Sequence, residues 1–99
     1  MSSLKIYVGS PDGGPFTELL RKNIIERVLR TVESFTVQDA EGYYQGRRVA
    51  TLIISVWDVR KREASTLAAD LATLAKQKEV ALEVTPTTIL HLKGNNDEN

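Results

Sequence analysis

Cysteine is absent from the 99-residue sequence, and histidine occurs only once. Without thiols the chain cannot form disulfides, thiolate zinc sites or iron–sulfur clusters, and it has no cysteine nucleophile. The single histidine, His91, excludes a histidine-rich metal site and is expected to be a surface residue near a sheet edge. We therefore predict no metal site, no cofactor and no assignable catalytic residue.

Net charge and long apolar segments are also lacking. Thirteen basic residues balance thirteen acidic ones, so no global positive field favours nucleic acid as a partner. No apolar stretch has the length of a signal peptide or a membrane span, which leads us to expect a cytoplasmic protein without a membrane partner. Length and composition predict one domain over residues 1–93, with the polar residues 94–99 as a disordered tail.

Apolar residues at spacings of three and four predict two amphipathic helices. The first is expected over residues 15–31, because Pro15 suits the first helical position. The second is expected to follow Asp58, whose carboxylate can cap the first turn, and to end within residues 76–78. Its apolar stripe is rich in alanine, which permits close approach to a sheet.

Alternation of apolar and polar residues predicts four strands, the first over residues 4–8 and the last over residues 80–84. The second strand begins at Phe35, and the third covers residues 49–57. Between them, the polar residues 39–48 contain two glycines and predict the turn region of a long hairpin.

The order strand, helix, strand, strand, helix, strand predicts a ferredoxin-like β-α-β-β-α-β fold of the α+β class. In that fold two helices cover one face of a four-stranded antiparallel sheet, with the first and third strands central. Pro86 agrees with this arrangement, because proline cannot donate to a strand ladder and the fourth strand lies at an edge.

The third strand carries large apolar residues on both of its faces. Leu52, Ile54 and Val56 alternate with Ile53 and Trp57, yet two helices can cover only one face. We therefore predict a homo-oligomer, a dimer or a trimer, with an interface that includes Tyr7, Ile53 and Trp57. The alternative is that Trp57 lies beneath adjacent loops and needs no partner.

The best candidate for ligand contact is the cluster beside the hairpin turn, Tyr43, Tyr44, Gln45, Arg47 and Arg48. Tyrosine rings offer stacking surfaces, and guanidinium groups suit phosphate or carboxylate. We predict that this cluster binds a small anionic, nucleotide-like ligand or a protein partner. A solvated turn with cross-strand tyrosine contacts is the alternative.

Two further motifs have weaker functional interpretations. Residues 11–14 precede a helix and could present backbone N–H groups to an anion, but a plain tight turn is the favoured interpretation, since no phosphate-binding signature follows. Residues 6–9 resemble the first-strand motif of RNA-recognition-motif domains. The third strand has no matching aromatic motif, and residues 10–14 contain no arginine such as the acylphosphatases use, so neither activity is expected.

Residues 6–14, 35–43 and 80–86 together resemble an uncharacterised family of small bacterial ferredoxin-like α+β proteins. More distantly, the long hairpin is similar in architecture to PII-type signalling proteins, which are trimers that bind nucleotides between subunits. That resemblance implies only an oligomeric binder, because the defining PII loop motifs are missing.

Three functions follow as hypotheses. The first is a non-enzymatic, homo-oligomeric binding or regulatory module that acts through the hairpin. The second is a small cofactor-free enzyme with a pocket between sheet and helices, for which Asp39, Glu41, Asp58 and His91 are the isolated candidate groups. The third is a small inhibitor or adaptor protein from a mobile element.

Overall fold

The computed structural model describes residues 2–57, 60–77 and 80–86. Within them the chain forms β1 (Ser2–Gly9), α1 (Glu18–Leu29), β2 (Phe35–Tyr44), β3 (Arg47–Trp57), α2 (Lys61–Leu74) and β4 (Ala81–Pro86). The predicted order of elements and the α+β class are confirmed. The predicted surface residue His91 and the predicted tail, residues 94–99, lie outside the described residues.

All four strands belong to one antiparallel sheet in the order β2-β3-β1-β4. The central strands are therefore β1 and β3, and the edges are β2 and β4, as predicted. The pairing places Tyr7 of β1 opposite Ile53 of β3 on one side and opposite Ala81 of β4 on the other.

One face of the sheet is buried beneath both helices. Because side chains alternate along a strand, every second residue of β1 and β3 points to this face, and the apolar members of this set are at most 2% exposed where the helices cover them. They pack against the inner sides of α1 and α2 in one apolar core. The principal members are Leu4, Ile6, Val8, Leu52, Ile54 and Val56 from the sheet, with Ile24, Val28, Leu67 and Leu71 from the helices.

The opposite face, which we call the open face, has no described helix over it. It carries Tyr7, Ile53, Ser55 and Trp57, and the Trp57 side chain keeps 50% of its exposure. The assignment of the two faces of β3 is thereby settled, with Leu52, Ile54 and Val56 inward.

The helix boundaries differ from the predicted ones at both N-termini. Helix α1 begins at Glu18, because the Thr17 hydroxyl caps it by accepting from the Leu20 N–H at 3.1 Å. Leu19 and Leu29 of this helix are apolar but exposed. Helix α2 has Arg60 as its N-cap without a side-chain hydrogen bond, and the predicted cap, Asp58, lies outside the described residues.

The hairpin turn is much shorter than the predicted polar stretch of residues 39–48. Strands β2 and β3 stay paired up to Tyr44 and Arg47, which leaves only Gln45 and Gly46 as the turn. Both have positive φ, 53° and 77°, as a two-residue type I′ turn requires. Most of the polar stretch is therefore strand.

No helix in the described part of the chain is long and apolar enough to span a membrane.

Candidate functional site

A groove of about 760 Å³ opens where the hairpin approaches the loop that follows β1. We call it the hairpin groove. Four parts of the chain line it: Tyr7 with the loop residues 9–13, the hairpin residues Tyr44 and 47–49, Gln77 just after α2, and residues 80–81 at the start of β4. Its volume lies within the range of about 300–1,000 Å³ that small-molecule sites occupy.

The loop wall of the groove is held rigidly against β3. The Ser10 N–H donates to the Ala50 carbonyl, and the Ala50 N–H donates to the Gly13 carbonyl, both at 2.9 Å. Gly13 has a φ of 84°, which residues with a side chain rarely adopt. Glycine adopts it without steric cost, and this allows the contact with Ala50. The loop thus continues the sheet alongside the part of β3 that extends past β1.

Asp12 lies at the loop end of the groove and is partly engaged within the loop. Its Oδ1 accepts from the Gly14 N–H at 3.0 Å and from the Ser10 hydroxyl at 3.5 Å. Its Oδ2 has no hydrogen-bond partner among the described residues. One carboxylate oxygen therefore remains available to a ligand.

Gln77 is placed in the groove by the end of α2. The Gln77 N–H donates to the Ala72 carbonyl at 2.8 Å, and the Lys76 N–H donates to the Thr73 carbonyl at 3.2 Å. These two bonds form a Schellman motif with Lys76 at positive φ. The Gln77 side-chain nitrogen then donates to the carbonyls of Ser10 and Ala75, both at 3.3 Å. Its amide oxygen is left as an acceptor.

Tyr44 lies flat over β2 because the residue beneath it is glycine. A methyl group at Gly42 would lie 2.7 Å from the Tyr44 Cε2 atom and 2.8 Å from the Thr51 hydroxyl oxygen. Any larger residue at position 42 would therefore displace the ring or the hydroxyl. The glycine allows Tyr44 to form part of the floor of the groove.

Tyr7 forms the adjoining part of the floor and is oriented by Glu83. The Tyr7 hydroxyl donates to Glu83 Oε1 at 2.7 Å. This hydrogen bond, followed by desolvation and by the negative charge of Glu83, raises the pKa of Tyr7 above its ordinary value of 10.0. Tyr7 is therefore neutral, with its ring held between β4 and the hairpin.

The structure divides the five predicted ligand residues between the two faces of the hairpin. Tyr44 pairs with Arg47, and Tyr43 pairs with Arg48, so alternation places the first pair on the open face and the second on the other. Gln45 occupies the turn. The predicted single cluster thus separates into two pairs, and Tyr44 and Arg47 are the pair that joins Tyr7.

The two arginines also differ in their electrostatic partners. Arg48 borders the groove, but its Nε atom forms an ion pair with Glu41 at 2.5 Å. Within the described part of the chain Arg47 forms no ion pair. Arg47 is therefore the groove cation whose charge is not already balanced by a described carboxylate.

The predicted interface residues all lie on the open face. Tyr7 and Ile53 are direct cross-strand neighbours, and Trp57 lies at the opposite end of the face beside Ser3. A smaller hollow of about 270 Å³ borders Trp57. Trp57 is half exposed, and residues 58–59, which follow it directly, lie outside the described residues.

The groups considered for catalysis are surface groups where the structure describes them. Asp39 forms an ion pair with Arg21 at 2.6 Å, and Glu41 is held by Arg48. Asp58 and His91 lie outside the described residues. Between the sheet and the helices of the described part, the core is apolar, and the only buried polar residues are Ser10 and Thr51.

Sequence reasoning missed three contributors to the groove. The sequence pattern places Tyr7 in the interface and Asp12 in a segment that is either an anion-binding turn or a plain tight turn, and it indicates no role for Gln77. Gln77 reaches Ser10 across 67 positions of sequence, a contact that only the packed fold creates. Tyr7 and Tyr44, in contrast, could have been paired by counting residues on the open face.

No family model matches the chain. No curated protein matches it either. Among solved structures, it is similar to the crystal structure of a DUF3240 family protein from Shewanella baltica OS155, with a TM-score of 0.58 and 12% sequence identity over 94% of this chain and 97% of that one. A second similar structure is the de novo designed protein Foldit4, with a TM-score of 0.47 and 22% identity over 88% of this chain and 96% of that one. The Shewanella likeness shows a shared fold, in agreement with the predicted resemblance to small bacterial α+β proteins.

Proposed function

We propose that this chain is a non-enzymatic binding module of the ferredoxin-like class, which takes a small anionic ligand in the hairpin groove and self-associates through its open face. The observation that carries the proposal is the meeting of Tyr7, Tyr44 and Arg47 in one groove. Two rings and an unbalanced guanidinium form a surface suited to a flat, negatively charged molecule.

Several features support the class and the setting of this module. The element order and the strand order β2-β3-β1-β4 suit a ferredoxin-like fold with two helices on one face. A regulatory role in the cytoplasm is the setting we propose, and PII-type proteins offer a looser parallel in architecture. The protein would then bind its ligand without converting it chemically.

Self-association is supported by the composition of the open face. The face carries Tyr7, Ile53 and, at its other end, Trp57. Covering such side chains stabilises a complex by about 25 cal/mol for each Å² of apolar surface. Lys5 and Glu83 face each other across β1 and β4 on the same face. In a two-fold pair of chains, each could meet the opposite charge of its partner.

Light scattering coupled to size-exclusion chromatography tests the self-association over a range of concentrations. We expect an oligomer whose mass falls to that of a monomer in Ile53→Asp, because the new charge would be buried in the interface. Thr66→Asp adds the same charge on the exposed side of α2 and should leave the mass unchanged. A wild-type protein that is monomeric at every concentration would contradict this part of the proposal.

Phenyl phosphate, a flat ring bearing one anion, is the probe for ligand binding. Amide chemical-shift titration should show binding that Arg47→Ala weakens by about tenfold, since a hydrogen bond to a charged group contributes about 1.5–3 kcal/mol. Arg48→Ala is the matched control and should change the affinity little, because Arg48 is already paired with Glu41.

The tyrosines provide a second matched pair for the same titration. Tyr44→Ala removes part of the groove floor and should weaken binding, whereas Tyr43→Ala removes the same side chain from the other face of the hairpin. Equal effects of the two tyrosine variants, or of the two arginine variants, would show that the groove is not the binding site.

A further inference from the structure

The two ends of the hairpin groove differ in hydrogen-bonding character. Arg47 offers only donors at the hairpin end, since guanidinium has no acceptor. At the loop end, Asp12 presents its unpartnered Oδ2, and the donors of the Gln77 amide are directed to the Ser10 and Ala75 carbonyls. The loop end therefore offers acceptors.

The floor between the two ends is aromatic. Tyr7 and Tyr44 both line the groove. Glu83 fixes the first ring through its hydroxyl, and Gly42 gives the second ring room to lie flat. Aromatic side chains arranged in this way stack on flat rings, and base–aromatic stacking contributes about 1–3 kcal/mol per base.

A ligand that satisfies the whole groove therefore needs an anion at one end, a flat ring in the middle and hydrogen-bond donors at the other end. We infer that the hairpin groove takes an aminopurine nucleotide, with its phosphate on Arg47, its base on the tyrosines and its exocyclic amine directed to Asp12 and Gln77. This inference rests on the proposed function, because it assumes that the groove binds an anion. It adds the prediction that the groove distinguishes a purine with an exocyclic amine from one with a carbonyl group at the same position.

Adenosine monophosphate and inosine monophosphate are the probes that separate this inference from simple anion binding. They carry the same phosphate and ribose, but the adenine amine is a donor where hypoxanthine has a carbonyl acceptor. Calorimetric titration of the wild-type chain should give an affinity for the adenine nucleotide that is about tenfold higher, the value of one unmatched hydrogen bond.

Asp12→Asn should reverse this preference. Asparagine keeps the oxygen that accepts from the Gly14 N–H, and it replaces the free Oδ2 with an NH₂ donor that suits the hypoxanthine carbonyl. The inosine nucleotide should then bind more tightly than the adenine nucleotide. Because the substitution preserves the turn and is nearly isosteric, a circular dichroism melt matching that of the wild type will show that the loop is intact.

The outcomes distinguish the two claims. Equal affinities for the two nucleotides, both lost in Arg47→Ala, would overturn the inference and leave the anion groove in place. Nucleotide binding that Arg47→Ala does not weaken would overturn both claims. The absence of nucleotide binding would overturn the inference, and phenyl phosphate would then decide the proposed function independently.

Discussion

The two faces of the sheet use alternate residues of the same strands for different purposes. On the covered face, Ile54 and its neighbours are fully buried against the helices. On the open face, the adjacent residue Ile53 remains partly exposed beside Tyr7. The difference shows that one strand can provide the core with one set of side chains and a recognition surface with the other.

The distribution of polar groups follows the same division. In the described part of the chain, the core between sheet and helices contains no ionisable side chain. Tyr7, Glu83 and Arg47 instead lie on the open side, where water or a ligand can solvate them. Mutations on the two faces should therefore separate stability from binding.

Ile53 and Ile54 provide the sharpest test of this division, because the same substitution is made at neighbouring positions. We expect Ile54→Ala to lower the free energy of unfolding by about 3 kcal/mol, since it removes buried methylenes and leaves a cavity. Ile53→Ala should cost less than about 1 kcal/mol in dilute solution, where the open face is free. Urea denaturation followed by circular dichroism measures both values.

Concentration is the control for this pair. If the open face is an interface, the cost of Ile53→Ala should grow as the protein concentration rises, because association stabilises the folded state by mass action. The cost of Ile54→Ala should stay constant. Equal losses for the two variants at low concentration would contradict the division of the faces.

The elements of the fold were predictable because each has its own periodic signal. The stripe of α2, with Ala64, Leu67 and Leu71, repeats at helical spacing and is buried as expected. The apolar set of β3 was also identified, but only the packed helices decide which of its two faces they cover. Local sequence predicted the elements, whereas three-dimensional packing determined the faces.

The hairpin shows why the site was harder to predict. Asp39 and Glu41 disfavour strand structure by their own propensity, but ion pairs with Arg21 and Arg48 accommodate them in β2. Adjacent positions also suggested one cluster for Tyr43 and Tyr44, although alternation separates them. Gln77 gave no local signal at all, since its contact with Ser10 depends on the whole fold.

The helix layer has one polar contact that should contribute to stability. Arg27 of α1 donates from Nε to Asp70 of α2 and from Nη1 to Thr31, both at 2.7 Å, and its side chain is only 19% exposed. Arg27→Ala should therefore lower the free energy of unfolding by about 1–2 kcal/mol.

The exposed pair Arg21–Asp39 is the matched comparison for this contact. It joins α1 to the edge strand β2, and the Asp39 side chain is 72% exposed. Solvent and salt screen such a pair, so Arg21→Ala should cost at most about 0.5 kcal/mol. If Arg27→Ala and Arg21→Ala lowered the free energy of unfolding equally in urea denaturation, the burial of Arg27 between the helices would not make its ion pair more stabilising.

Two strained residues beyond the covered core offer gains in stability. Lys76 after α2 and Gln45 in the hairpin turn both have positive φ, 55° and 53°, where glycine has no steric penalty. Lys76→Gly and Gln45→Gly should each raise the free energy of unfolding by about 0.5–1 kcal/mol. Thermal melts will measure the gain, and Arg62→Gly inside α2 is the control that should lose stability.

Gln45 also bears on the site, because its position in the sequence favoured a role in ligand contact. It lies in the turn and does not line the hairpin groove. We expect Gln45→Gly to leave phenyl phosphate binding unchanged while the protein becomes more stable. A loss of affinity for phenyl phosphate would show that the turn residue Gln45 contributes to the binding site.

The smallest expected effect concerns the ionisation of Tyr7 on the open face. Its hydrogen bond to Glu83 favours the neutral phenol in the folded state, which raises the pKa of Tyr7 above 10.0. The resulting stabilisation is fully present below the unfolded pKa and is lost as the pH rises through the higher folded pKa. The stability difference between wild type and Tyr7→Phe should therefore be constant at neutral pH and shrink only in strongly alkaline solution.

Glu83→Gln isolates the cause of this pKa shift. Glutamine retains an oxygen that can accept from the Tyr7 hydroxyl, but it removes the negative charge that opposes the phenolate. Titration of the tyrosine Cζ resonances by NMR should show the Tyr7 pKa falling towards 10.0. An unchanged Tyr7 pKa would show that Glu83 does not hold this ring in solution, and the open face would then lack the fixed tyrosine on which the groove floor depends.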